Sequence, residues 1–233
     1  MAAVLTLAPF VPWGDFLSSS VSHSGSLGKQ KVVIDDRPEY GPTAGASVNV
    51  NDLKTFPPNN SWVFTYPTSG NLAQDTANID TYVKFALIRL PATMDITNGS
   101  GKKETLHMGD QTDSSAFVAF SKICVHLGCS PNYIPAAQLY ECPCHGSEYR
   151  LPDGLAVAGP ASLQTPPENA IPMLTLSTDS AGQLYAEVQS GAWNDLTTNG
   201  VLALGRYAGS YCTKLAPDSP YAQAGGCADD PSG

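Results

Sequence analysis

At 233 residues with an apolar fraction of 42%, the chain is long enough to bury a core, as one domain with insertions or a domain with a small accessory lobe. A formal net charge of −9 excludes nucleic-acid binding through a basic face, and no run of five like charges forms an acidic or basic tail. Only 14% of residues are charged, against roughly 25% in ordinary soluble domains, so the surface is polar through Ser, Thr, Asn and Gln. That suits a Gly-, Ser- and Thr-rich β-protein. It also suits life in acid, where carboxylates are protonated and few bases limit positive self-repulsion.

Residues 1–17 are mostly apolar, but a helix that crosses a bilayer needs about 20 such residues, and Pro9, Pro12 and Asp15 interrupt the run. No basic region opens it as a signal peptide requires. The segment reads as packed chain or as the outer end of a membrane anchor, and no other stretch has the length and apolarity to span. Short runs rich in Val, Ile, Phe and Tyr predict strands at 31–34, 47–51, 62–66, 82–90, 116–120, 139–141, 173–176, 184–188 and 201–204. Segments 37–45, 56–60 and 98–103 read as loops. No apolar helical stripe is sustained, and only 69–77 and 216–224 have the pattern of short helices. Many short strands separated by Gly and Pro predict an all-β fold, an antiparallel sandwich or barrel. The stretch 124–159 is poor in strand pattern and reads as a loop-built lobe. The expected organisation is an N-terminal segment 1–22 and a domain 23–233. Within that domain a base of 23–118 and 166–233 carries a lobe at 119–165.

The chemistry concentrates in that lobe. Four of the six cysteines and two of the four histidines fall within 22 residues. They form the boxes Cys124-Val125-His126-Leu127-Gly128-Cys129 and, after twelve residues, Cys142-Pro143-Cys144-His145-Gly146-Ser147. Two Cys and two His satisfy tetrahedral zinc, so a structural zinc module is the rival reading. Zinc modules, however, usually open with a Cys pair and close with a His pair. Here each box mixes one Cys with one His and adds a further Cys, which suits two metals better: two thiolates for one iron and two imidazoles for the other.

These boxes resemble those of Rieske proteins from quinol-oxidising cytochrome bc-type complexes. The resemblance implies a Rieske fold, with an antiparallel β-sandwich base and a small loop-rich cluster-binding lobe. It implies one [2Fe–2S] cluster, with Cys124 and Cys142 on one iron and His126 and His145 on the other. Cys129 and Cys144 would form a disulfide tying the two loops together, which Rieske ferredoxins and ring-hydroxylating oxygenases lack. Ser147 and Tyr149 fall where the family places hydroxyls that hydrogen-bond cluster sulfur, and Leu127 where a leucine shields the cluster. Gly159-Pro160-Ala161 resembles the covering proline loop, although Ser162 stands where a second proline is usual. The close resemblance covers 121–161, and the long flanking segments with sparse charge are similar to Rieske proteins of archaeal, acid-living respiratory chains.

The implied function is one-electron transfer from membrane quinol to a cytochrome or copper acceptor. The chain would serve as a subunit of a respiratory complex beside b-type and c-type or copper partners, and not as a catalyst in isolation. His145 would contact quinol and accept its proton. The implied location is the outer, extracytoplasmic face of the membrane, with anchoring through the N-terminus. An arsenite oxidase small subunit or an oxygenase ferredoxin is the alternative. Outside the boxes, Cys212 and Cys227 read as a second disulfide stapling a C-terminal extension. His23 and His107 read as surface or loop residues, and Trp13, Trp62 and Trp193 as core or interface aromatics.

Overall fold

The computed structural model describes residues 28–79, 81–97, 103–107, 112–151, 154–164 and 169–187. In chain order the strands are β1 (Gln30–Lys31), β2 (Asn60–Thr65), β3 (Lys84–Arg89), β4 (Thr93–Thr97), β5 (Lys103–His107) and β6 (Phe117–Ser121). They continue as β7 (Asn132–Ile134), β8 (Leu139–Cys142), β9 (Ser147–Arg150), β10 (Ala156–Ala158), β11 (Met173–Thr178) and β12 (Leu184–Glu187). One short helix, α1 (Leu72–Ala77), follows β2; Asn71 caps it by accepting a hydrogen bond from the Gln74 N–H at 3.1 Å.

Six strands form one antiparallel sheet in the order β1-β12-β11-β6-β3-β2. The segment just after β1 reaches both sides of it. Val32 donates its N–H to Leu184 at 3.0 Å, while Ile34 bridges Phe64 and Asp35 donates to Val63 at 2.9 Å. The two edges are thereby drawn together into a partly closed barrel, which protects edges that would otherwise offer unpaired backbone groups. The fold is the β-rich sandwich or half-barrel with a small lobe that the sequence predicts.

β3 and β6 are buried along their whole length, and this explains their near-continuous apolar sequences. Alternation sorts their side chains to two faces. Phe85, Leu87, Phe117, Ala119, Leu174 and Leu176 enter one core with Val32, Ile34, Val48, Val50, Phe56 and Trp62. Ala86, Ile88, Val118, Phe120 and Met173 enter the other, where they meet the cysteine-rich lobe. Burying each large apolar side chain contributes about 1.5–3 kcal/mol. The base also buries an ion pair, Lys84 Nζ to Asp35 Oδ2 at 2.6 Å, with Lys84 further donating to Thr65 Oγ1 and the Asp75 carbonyl. Burial pushes the Lys84 pKa down, and the hydrogen bond and charge of Asp35 pull it back up.

Predicted strands at 62–66, 82–90, 116–120, 139–141, 173–176 and 184–188 coincide with β2, β3, β6, β8, β11 and β12. Segments 31–34 and 47–51 lie along the sheet mostly through isolated bridges, Val33 to Ser47 and Asn49 to Gln183. The 98–103 loop reading is narrowed: the flanking chain pairs as a hairpin of β4 with β5, and Lys103 is in register with Thr97. The lobe is more ordered than its sequence suggested, because β7, β8, β9 and β10 form a four-stranded antiparallel sheet, β10-β9-β8-β7. These strands have only three or four residues, and Gly, Pro and Cys between them hide the pattern. Tyr133 on β7, Tyr140 on β8 and Tyr149 on β9 are one buried tyrosine apiece, and β10 has none. The 1–22 segment, His23, Trp13, Trp193, the 201–204 and 216–224 segments, Cys212 and Cys227 lie outside the described residues.

Candidate metal centre

The two cysteine–histidine boxes occupy neighbouring loops at one end of the small sheet. The first follows β6 and turns at Gly128, whose φ of +82° favours glycine; Gly128 donates its N–H to the Cys124 carbonyl at 2.9 Å. The second joins β8 to β9 and turns at Gly146, with φ +70° and its N–H on the Cys142 carbonyl at 3.0 Å. Cys142 and Ser147 are paired across that turn, so sheet register fixes where both point.

The structure pairs the two predicted thiols, Cys124 with Cys142, and the two predicted imidazoles, His126 with His145. Cys124 and Cys142 carry free thiols, both buried. Burial pushes the Cys142 pKa up, as does its hydrogen bond with Cys124, while backbone N–H groups of Cys144 and His145 pull it down. The His126 and His145 rings stand perpendicular with centroids 4.8 Å apart. A disulfide joins Cys129 and Cys144, with Cα atoms 6.4 Å apart, and so ties loop to loop. The sulfurs of Cys129, Cys142 and Cys144 lie within 4.8 Å of one another, but two of these are spent in that bond.

The donor set fits a [2Fe–2S] cluster. Nδ1 of His126 is buried with no hydrogen-bond partner among the described residues, an arrangement that costs free energy unless a metal takes the lone pair. Two buried thiols facing each other beneath backbone N–H donors are likewise poor neutral neighbours and good metal-bound thiolates. A site of two thiols and two imidazoles, braced by a disulfide, has the chemistry for one-electron transfer.

Hydroxyls surround the thiols. Tyr149, fully buried, has its hydroxyl 3.1 Å from Cys124 Sγ and accepts the Val125 N–H at 3.2 Å. Burial and the hydrogen bond with Cys124 raise the Tyr149 pKa, so the phenol stays neutral. Ser147, also fully buried, accepts the Ala161 N–H on Oγ at 3.1 Å. Pro160 opens a 3-10 turn, Pro160–Leu163, that packs on the site. Gly159 permits this approach: a Cβ there would lie 2.2 Å from the Gly146 carbonyl oxygen. Leu127 and His145 are exposed at the lobe tip, with Leu127 exposing 70% of its surface. His107 ends β5, away from the two boxes in the chain, and Trp62 is a core residue stacked edge-on against Phe56.

Sequence reasoning missed three supporting residues. Tyr140 donates its hydroxyl to the Ser121 carbonyl at 3.1 Å, Lys122 donates to Asn132 at 2.9 Å, and Gln164 donates to the Val125 carbonyl at 3.2 Å. Tyr140 and Gln164 find their partners 19 and 39 residues away, so no local spacing marks them.

Residues 94–170 match the family model of the Rieske [2Fe-2S] domain. This stretch, with its two-histidine, two-thiol site, is a Rieske-type [2Fe–2S] domain. The cytochrome b6-f complex iron-sulfur subunit of Chlorobaculum thiosulfatiphilum is 46% identical over 48 residues, 21% of this chain and 26% of that protein. The chloroplastic b6-f iron-sulfur subunit of Pisum sativum is 30% identical over 123 residues, 52% of this chain and 51% of that one. The cytochrome bc1 complex Rieske iron-sulfur subunit of Corynebacterium efficiens is 38% identical over 88 residues, 36% of this chain and 18% of that one. The chain thus spans about half or less of the length of these curated relatives. It carries a Rieske-type [2Fe–2S] domain and is similar to iron–sulfur subunits of cytochrome b6-f and bc1 complexes. Among the described residues no helix is long and apolar enough to cross a membrane.

Proposed function

We propose that this chain carries single electrons from membrane quinol to a cytochrome or copper acceptor, as the iron–sulfur subunit of a respiratory quinol-oxidising complex. The observation that carries the reading is the Cys129–Cys144 disulfide between the two histidine-bearing loops. By resemblance, that bond belongs to quinol-oxidising complexes and is missing from Rieske ferredoxins and oxygenases. Cys124 and Cys142 would hold one iron, and His126 and His145 the other. When bound, the cluster supplies a one-electron acceptor, and imidazole in place of two thiolates lifts such centres to roughly −150 to +300 mV.

The protein's own groups tune and serve that centre. Tyr149 gives its hydroxyl hydrogen to Cys124 Sγ, and Ser147, whose oxygen is taken up by Ala161, directs its hydrogen to cluster sulfur. Both withdraw electron density and favour the reduced state. Exposed His145 would accept the hydrogen bond of a quinol hydroxyl and then its proton, while the cluster would supply the electron acceptor. His126 shares the exposed edge, while Leu127 and the Pro160 turn keep water from the sulfurs.

A disulfide of this kind persists in an oxidising setting, which supports a location on the outer face of the membrane, with anchoring in the full-length protein. The base is 23–118 with 166–233, and the cluster lobe is 119–165. The sparse charge supports an acid-living, archaeal respiratory chain.

Redox titration against pH tests the reading. A midpoint in the upper part of the Rieske range that falls with alkaline pH is expected, and a midpoint flat across pH overturns the proton role of His145. A midpoint far below zero points to an oxygenase ferredoxin, and a colourless zinc-bound protein sinks the redox reading. Quinol-dependent reduction of an added cytochrome tests the partner assignment.

A further inference from the structure

We infer that Gln164 is a positioning residue for the cluster, the pin of a second, non-covalent brace between the two ligand loops. The inference rests on the Rieske-type reading of the site. Gln164 closes the Pro160–Leu163 turn, its backbone N–H donating to the Ala161 carbonyl at 3.2 Å. From there its Nε2 reaches back across 39 residues to the Val125 carbonyl, 3.2 Å away. Val125 stands between Cys124 and His126, and its own N–H is already held by the Tyr149 hydroxyl at 3.2 Å. Both backbone polar groups of this one residue are therefore bound by side chains from other elements. Peptide units are planar and turn only about φ and ψ. Holding the planes on either side of Val125 thus fixes the directions in which Cys124 and His126 leave the backbone.

The same turn grips the second loop. Ala161 donates its N–H to Ser147 Oγ at 3.1 Å, and Gly159 lies directly against the Gly146 carbonyl. Residues 159–164 therefore link the two loops, as the Cys129–Cys144 bond does, through hydrogen bonds and close contact. One detail distinguishes this from packing alone. The Gln164 Oε1 is buried with no hydrogen-bond partner among the described residues. A leucine would fill the same space without an unmatched oxygen, so the contribution of the amide lies in its N–H.

The test compares cluster-loaded wild type with Gln164→Leu, with the isosteric Gln164→Glu, whose carboxylate has no N–H to give, and with Val50→Ala. Val50 is buried in the base core, away from the site, and serves as a stability-matched control. Two properties are followed: the low-temperature EPR spectrum of the reduced cluster, and the rate of visible bleaching after a phosphine opens the disulfide. Both Gln164 variants are expected to broaden or shift the EPR signal and to lose the cluster about tenfold faster once the disulfide is open. Val50→Ala should lower Tm and leave both properties as in wild type. Failure of both Gln164 variants to hold a cluster that Val50→Ala holds also supports the brace. Wild-type spectra and lifetimes in both Gln164 variants, or the same changes in Val50→Ala, overturn it. A wild-type protein with no Rieske EPR signal overturns the underlying reading as well, which separates the two failures.

Discussion

On one face of β3, β6 and β11 the buried side chains are Phe85, Leu87, Phe117, Ala119, Leu174 and Leu176, carbon throughout. On the opposite face the same strands meet Tyr133, Tyr140 and Tyr149 and the thiols of Cys124 and Cys142. The base is held by apolar area, which is non-directional and tolerates small displacements. The lobe is held by hydrogen bonds, one disulfide and its metal ligands, all of which are directional. A redox site needs its ligands fixed to a fraction of an ångström. The rigid, greasy base therefore serves as a platform for a lobe with little core of its own. The two are tied by the hydrogen bond from the Tyr133 hydroxyl to Asn59.

If the two regions differ in this way, damage to each should look different. Cys142→Ala has the largest expected effect: it removes a buried thiolate and abolishes the EPR signal and visible colour. Far-UV circular dichroism, dominated by the base sheet, should be largely retained; its collapse would show that the base depends on the lobe. Phe85→Ala is expected to cost about 3–5 kcal/mol in urea unfolding and to unfold base and lobe together. Loss of the lobe signal at lower urea than the base signal would break the idea of a shared platform.

The paired change Cys129→Ala with Cys144→Ala opens a loop with a sequence separation of 15. In the chain-entropy model that is worth about 3 kcal/mol. The loss should show as faster cluster release and a lowered lobe transition, with the base midpoint nearly unmoved. Tyr149→Phe keeps the packing and removes only the hydroxyl, so its expected result is a lowered midpoint potential with a small change in Tm. A midpoint equal to wild type would remove Tyr149 from the tuning of the site.

The smallest effect tests the seam between the regions. Burial pushes the Tyr133 pKa up to about 12 from an ordinary 10.0. As pH rises from about 10 to 12, the unfolded chain gives up this proton while the folded one keeps it, so stability falls across that window. Tyr133→Phe, which also loses the hydrogen bond to Asn59, should be less stable at neutral pH. Its decline above pH 10 should nevertheless be shallower than in wild type. Equal slopes in alkaline denaturant titrations would mean that the tyrosine does not titrate with folding.

The strands of the base were legible because their burial is a property of the local pattern. FALI in β3 and FVAF in β6 read as doubly buried strands without knowledge of their neighbours. The candidate ligands stood out because ligand chemistry demands particular side chains at short spacing: all four sit in two six-residue boxes. The lobe sheet was not legible. Three of its four strands have one buried tyrosine each and β10 has none, too few to set a period of two against a background of Gly, Pro and Cys. Gln164 and Tyr140 were missed for another reason. A side-chain amide or hydroxyl bonded to a distant carbonyl leaves no trace in the sequence around either partner.

By itself, then, the sequence determined the class of fold, the ligand types and the absence of a nucleic-acid-binding charge, since each follows from composition or from residues close along the chain. Tertiary structure alone decided that the two thiols face each other, that Tyr149 and Ser147 lean on the site, and that the Pro160 turn bridges both loops. Those arrangements join segments 14 to 39 residues apart. Nothing local carries them: the sheet register and the packing of the lobe on the base are what bring the partners within hydrogen-bond reach.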